Sequence, residues 1–178
     1  MRKALIMLGQ MSDGDIEWVA RTSDRRTLPP STTIIEEGQA TQSLFIILDG
    51  SVSVVVNDTE IARLGIGEIL GEISLIDARP PLASVVTRSE TTVLVLDRAV
   101  LQTKLREDMG FGCRFYHAVA IFLAARLRDS VTRMGYGAPG ALTSDEDLDD
   151  ELDAEILDTL HLAGAKFDKL RHQTLRAR

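Results

Sequence analysis

The apolar positions along this chain change period twice. Between residues 12 and 21, Ile16, Trp18 and Val19 follow Ser12, Asp13 and Asp15. That order predicts a helix, with Ser12 or Asp13 as N-cap and Asp15 in the first turn. From residue 32 to residue 96 the apolar residues come instead in short β-type runs, at 32–35, 44–48, 51–56, 60–64, 83–87 and 92–96. Turn signals separate them: Pro29-Pro30, Glu37-Gly38, Asp49-Gly50, Asn57-Asp58, Gly65 with Gly67, and Ser89-Glu90. Strands so closely spaced, with few helices between them, predict an antiparallel sandwich or barrel.

From Asp97 the period becomes helical. A short helix is expected over 97–106, capped by Asp97, and a long one over 111–134. The long helix carries Phe111, Phe115, Ala118, Val119, Phe122, Ala125, Leu127 and Val131, a band wider than one stripe. Such a band packs on two neighbours, here the β-domain and a second copy of the chain. Residues 135–143 read as a linker, with three glycines and one proline. A tail follows at 144–178. In it Leu152, Ile156, Leu160, Ala163, Phe167 and Leu170 make an amphipathic stripe, with acids early and Lys166, Lys169 and Arg171 late. Two readings of the tail stand: a helix packed on the domain or its dimer mate, or a docking element for another protein.

Composition narrows the function classes. The chain has 178 residues, 44% of them hydrophobic, enough for one core. No run approaches the ~18 apolar residues of a membrane span. The first residues are too short in their apolar stretch for a signal peptide. Net charge is −7, and residues 144–178 supply −5 of it with 10 acidic and 5 basic side chains. Without a basic patch, direct nucleic-acid binding is not expected. The single cysteine, Cys113, excludes an internal disulfide and is expected as a buried thiol. His117, His161 and His172 all fall on predicted helices, so neither a metal site nor any other cofactor is expected. No nucleophile or carboxylate pair points to catalysis. A cytoplasmic regulator fits these features.

The informative segment is 70–85, where Leu70-Gly71-Glu72-Ile73-Ser74-Leu75 begins a one-turn helix between two β-runs. A glycine at a helix start lets a ligand approach backbone amides, which suits an anion. Glu72, beside them, suits hydroxyl donors. The two together suit a phosphate next to a sugar.

This segment resembles the phosphate-binding cassette of cyclic-nucleotide-binding domains, which reads Phe-Gly-Glu-x-Ala-Leu, a spacer, then Pro-Arg-x-Ala-Ser/Thr. Gly71, Glu72, Leu75, Pro80, Ala83 and Ser84 match it at the spacing found in the regulatory subunits of cyclic-AMP-dependent kinase. The resemblance extends over residues 10–134, and residues 115–128 look like the dimer helix of the catabolite-activator branch. It implies a mainly β fold with flanking helices, an antiparallel double-stranded β-helix or jelly-roll-like β-roll, followed by long C-terminal helices. It implies a domain at 1–134, a homodimer, and a non-catalytic sensor of a cyclic nucleotide or related small ligand.

The ligand set it implies is Gly71, Glu72, Ile73, Ser74, Leu82, Ala83 and Ser84, with Glu72 on the ribose 2′-hydroxyl. Amides of 72–74 and 83–84 and the Ser84 hydroxyl would hold the phosphate. Leu70 and Ser74 depart from the pattern, and Pro81 stands where the family has its phosphate-binding arginine. Cyclic AMP is therefore expected to bind only at micromolar or weaker strength. Four outcomes stay open: Arg79 reaches back to the phosphate, Arg79 is a solvated loop residue, the pocket takes a neutral or differently charged ligand, or the β-roll binds nothing and serves as a dimerisation and protein-interaction module. The acidic tail lacks the basic recognition helix of the catabolite-activator branch.

Overall fold

The computed structural model describes residues 8–77, 79–133 and 154–173. The linker at 135–143 and the start of the tail lie outside the described residues. Helix α1 (Asp13–Thr22) is followed by β1 (Asp24–Leu28), β2 (Thr33–Ile35), β3 (Ser43–Asp49), β4 (Val52–Val56), β5 (Thr59–Leu64) and β6 (Ile69–Leu70). Then come α2 (Glu72–Asp77), β7 (Ser84–Thr87), β8 (Thr91–Asp97), α3 (Arg98–Glu107), α4 (Met109–Arg133) and α5 (Ala154–Gln173). Every strand pair is antiparallel, in two four-stranded sheets of order β1-β8-β3-β6 and β2-β7-β4-β5. This is the expected β-roll with flanking helices.

The roll begins earlier than the apolar pattern suggests. Strand β1, Asp24-Arg25-Arg26-Thr27-Leu28, pairs with β8 along its whole length. It is an edge strand with charged residues, which blunt the edge and also erase the apolar signature of a strand. Strand β6 is two residues long and too short to show a period.

Two apolar clusters explain the layering. Successive side chains of a strand point to opposite faces. On β3, Leu44, Ile46 and Leu48 join one cluster while Ile47 joins the other; on β8, Leu94 and Leu96 part from Val93 and Val95 in the same way. The second cluster also holds Ile35, Val52, Leu70 and Val85 and fills the roll. The first cluster packs the helices on the outside of the β1-β8-β3-β6 sheet, through Ile16, Leu101, Leu105, Phe111, Phe115 and Phe122. Both faces of β3 and β8 are therefore covered, which is why 91–96 is buried without a break.

Helix α4 lays Phe111, Phe115, Ala118, Val119 and Phe122 into that core. Trp18 of α1 meets Phe111 edge-on at 5.2 Å, and Phe111 stacks on Phe115 at 5.9 Å. Cys113 is exposed rather than buried. Two residues turn a helix by about 200°, so Cys113 faces away from the side that buries Phe111. His117 is exposed on the same helix.

The tail helix packs back on its own chain. Ala163, Phe167 and Leu170 are buried, the last two within the helix-side cluster. The Lys166 ammonium donates to the carbonyls of Gly9 (3.2 Å) and Met11 (2.6 Å), and Lys169 pairs with Glu17 at 2.7 Å. The seat is thus α1 and the turn before it, with Arg25 of β1 bonding the Arg171 carbonyl at 3.4 Å.

Helix α1 is fixed by one buried carboxylate. Ser12 and Asp15 form a reciprocal capping box. Asp15 also accepts a bidentate pair from Arg114 of α4, at 2.6 and 2.9 Å. Burial pushes this carboxyl up, but the bonds from Arg114 and Ser12 outweigh it and hold Asp15 below its ordinary 3.8. The stability it contributes is present above that value and is lost as pH falls through the lowered one. We predict that Asp15→Asn costs about 1–3 kcal/mol at neutral pH in urea denaturation. The gap to the parent should close as pH drops below about 4; a gap that persists at low pH would mean the loss is one of packing, not charge.

Candidate ligand-binding site

The site starts from a glycine. At Gly71 φ is +87°, and a Cβ there would lie 2.7 Å from the Ser43 carbonyl of β3. Only glycine allows this turn, and the turn lets β6 run directly into α2. The helix then opens with Glu72, and Leu75 N–H bonds the Gly71 carbonyl at 3.2 Å. On the other side, the 79–83 loop is fastened to the β2 turn. Gly38 N–H donates to the Pro81 carbonyl at 2.9 Å, and Glu37 N–H donates to the Ser84 hydroxyl at 3.0 Å.

Between α2, this loop and the inner face of the β2-β7-β4-β5 sheet lies a cavity of about 250 Å³. Gly71, Glu72, Ile73, Ser74, Arg79, Leu82 and Ala83 line it, together with Pro80 and Pro81. Its walls are Ile35, Val54, Leu64, Leu70 and Val85. Ser84 does not line the cavity, and its hydroxyl accepts from the Glu37 amide. Leu82 stands at the mouth, 87% exposed. The Arg79 side chain is 84% exposed and pairs with Asp77 at 3.7 Å, which makes it a solvated loop residue here.

The sequence reading missed Arg126. It reaches down from α4, lines the cavity and pairs Nη1 with Glu72 Oε1 at 2.5 Å. Its guanidinium also lies 4.8 Å from the Phe122 ring centre. A signal existed: Arg126 continues the 115, 119, 122 face of α4, where apolar residues give way to a cation. Its partner, however, is 54 residues away.

Glu72 is 2% exposed. Burial pushes its carboxyl above the ordinary 4.5, and the neighbouring charge of Glu68 adds to this, while Arg126 pulls it down. Glu68 is itself buried, with Oε2 free of hydrogen bonds and 3.9 Å from Arg126 Nη2. Two carboxylates therefore share one guanidinium, and of the two only Glu72 lines the cavity. Among the described residues no three His, Cys, Asp or Glu side chains group as metal ligands.

Comparison with known proteins bears on the fold that holds this cavity. A family profile described as cyclic nucleotide-binding domain matches residues 25–108. A solved cyclic nucleotide-binding domain from Methylobacillus flagellatus is similar over 79% of this chain and 85% of that one, with a TM-score of 0.68 and 27% identity. The CRP-like protein Clp of Xanthomonas campestris is 28% identical over 130 residues, which cover 67% of this chain and 55% of that protein. The rice Potassium channel AKT1 is 30% identical over 107 residues, or 58% of this chain and 11% of the channel. The chain thus matches about half of the first of these two proteins and a small part of the second.

Two outcomes test the site's construction. Gly71→Ala must strain a left-handed backbone and press on the Ser43 carbonyl, so we expect it to cost at least about 1–3 kcal/mol in denaturant unfolding; a neutral effect would contradict the close approach. For Glu72, a raised carboxyl means the folded state holds its proton more tightly than the unfolded chain. Stability is then lost as pH rises from 4.5 through the raised value. Glu72→Gln should remove that loss, so the parent should weaken relative to the variant across this window in pH-dependent melts.

Proposed function

We propose that this chain, whose residues 25–108 belong to the cyclic nucleotide-binding domain family, is a non-catalytic regulatory module that senses a cyclic nucleotide or related nucleotide in the β-roll cavity. The ligand is held by Gly71, Glu72, Ile73, Ser74, Leu82 and Ala83, with Ser84 and Arg79 at the edge. The observation that carries this reading is the Glu72–Arg126 pair. It joins the floor of the cavity to the long helix, so a ligand hydroxyl that engages Glu72 alters what Arg126 of α4 is bonded to. A ligand shifts such an arrangement only by its difference in affinity for the two states.

The output surface in this reading is the outer face of α4. Met109, Tyr116, Leu127 and Val131 are exposed there, Leu127 to 64%. An apolar face of this kind favours pairing with a second copy. The module works in the cytoplasm and takes its downstream partner through α4 or the tail segment; direct DNA contact has no basic helix to support it. A second reading, a ligand-free dimerisation module, is favoured by Pro81 and by the carboxylate partners that both cavity arginines already have.

Calorimetric titration with cyclic AMP, cyclic GMP, cyclic dinucleotides and adenosine separates the two. We expect cyclic AMP to bind at micromolar or weaker strength, with hydrogen exchange changing in α2 and α4 together. If no member of the panel binds, the module reading replaces the sensor. For the dimer, sedimentation at about 100 μM should show a two-chain species that Leu127→Asp weakens; a monomer at that concentration would count against pairing through α4.

A further inference from the structure

We propose that Glu68 is a second seat for Arg126: when a hydroxyl donor takes Glu72, the guanidinium of α4 passes to Glu68. This rests on the reading that the cavity binds a ligand of the nucleotide class, and it names the residue that receives the displaced arginine. Glu68 does not line the cavity. It acts only through Arg126, as a positioning residue.

The two carboxylates are held by different elements. Gly67, with φ at +84°, turns the chain ahead of β6, and the Glu68 amide donates to the Gly65 carbonyl at 3.1 Å. The Ile47 amide donates to the Glu68 carbonyl at 2.9 Å, and the Gly67 amide donates to the Ile47 carbonyl at 2.7 Å. Ile47 is wholly buried in β3. Glu68 is thereby fixed to the sheet, whereas Glu72 opens the short helix α2. An arginine on Glu72 ties α4 to α2; the same arginine on Glu68 ties α4 to the sheet.

The second seat is empty as it stands. Glu68 is 8% exposed, and its Oε2 accepts no hydrogen bond among the described residues. A buried carboxylate oxygen left in this way is costly. Arg126 Nη2 lies 3.9 Å from it and reaches the Ile69 carbonyl at 3.5 Å, longer than the ~2.9 Å of an ordinary bond. Nη1 meanwhile holds Glu72 at 2.5 Å. A shift of about 1 Å brings Nη2 to bonding distance of Glu68.

This arrangement makes release of Glu72 feasible. Breaking a buried ion pair with nothing to replace it costs on the order of a hundredfold or more in affinity. Here the cation leaves one carboxylate for another that is already desolvated. Glu72 is left with the ligand's hydroxyl donors, and Glu68 gains the bond it lacks. The number of buried carboxylates without a cation stays the same.

The experiment has two arms on the full chain. In the first, cyclic AMP is titrated by calorimetry into the parent and Glu68→Gln, and both are melted. We expect Glu68→Gln to melt at or above the parent, because an unpartnered charge is gone, yet to bind cyclic AMP at least about threefold more weakly. A lower melt with weaker binding means Glu68 is merely structural and overturns the inference, as does affinity within about threefold of the parent or tighter. The second arm needs no ligand. Glu68→Gln is made in the parent and in Glu72→Gln, and each pair is compared in denaturant. In the parent it should be neutral or stabilising. In Glu72→Gln, where Arg126 has moved to Glu68, it should lower the folding equilibrium constant about tenfold. The same sign in both backgrounds overturns the inference. If no member of the nucleotide panel binds the parent, the sensor reading falls, and the second arm alone decides whether Glu68 seats Arg126.

Discussion

Helix α4 carries Phe111, Phe115 and Phe122 on one side, and no single sheet covers three phenylalanines. They are buried by β3 and β8 from one direction and by α1 and α3 from another. Burying a large apolar side chain is worth about 1.5–3 kcal/mol, so this face decides where α4 lies. The helix then presents two arginines at fixed places. Arg114 reaches Asp15 of α1, and Arg126 reaches Glu72 of the cavity. The two are 12 residues apart, or about 18 Å along the axis. A helix fixed by its apolar face thus becomes a bar with a buried ion pair at each end.

The two ion pairs are not equivalent. Asp15 has a bidentate arginine and a capping amide, and its bonds outweigh its burial. Glu72 has one close arginine contact and a second carboxylate nearby, and its burial outweighs its partner. Asp15 is therefore held as a firm anion, while Glu72 is a strained one. Breaking either pair leaves a buried charge, but only the Glu72 end opens on a cavity. That asymmetry leaves the less firmly held end of the bar beside the cavity and the firm end at α1.

The strands of the roll were legible where they alternate or run apolar between turn signals, as at 44–48 and 92–96. Strand β1 was not, because an edge strand with Asp24, Arg25 and Arg26 hides in its charges. The cassette was legible because its chemistry is local: Gly71, Glu72, Pro80 and Ala83 sit within one short segment. Arg126 was not, because its role depends on folding α4 over that segment. Cys113 was misplaced for a related reason. The apolar band of α4 is broad enough that composition alone could not say which side of it faces the sheet. A lone polar residue on a buried face carries more information about a site than the apolar residues around it.

The tail adds a constraint from the far side. Helix α5 sits on α1 through Phe167 and Leu170, and Lys166 closes the Gly9 and Met11 carbonyls just ahead of the Ser12 cap. These contacts bear on the same short stretch that holds Asp15. Displacing α5 would uncover two large apolar side chains and two carbonyls beside the capping box, and so loosen the base against which Arg114 is set. The anchor of the bar thus depends on a segment far along the chain. Because α4 is one continuous helix, its freedom at Arg126 is limited by how firmly Arg114 is held. In the proposed sensor reading, a change at Glu72 needs such a fixed end, for without it the Glu72–Arg126 pair would relax locally and α4 would not respond as a unit.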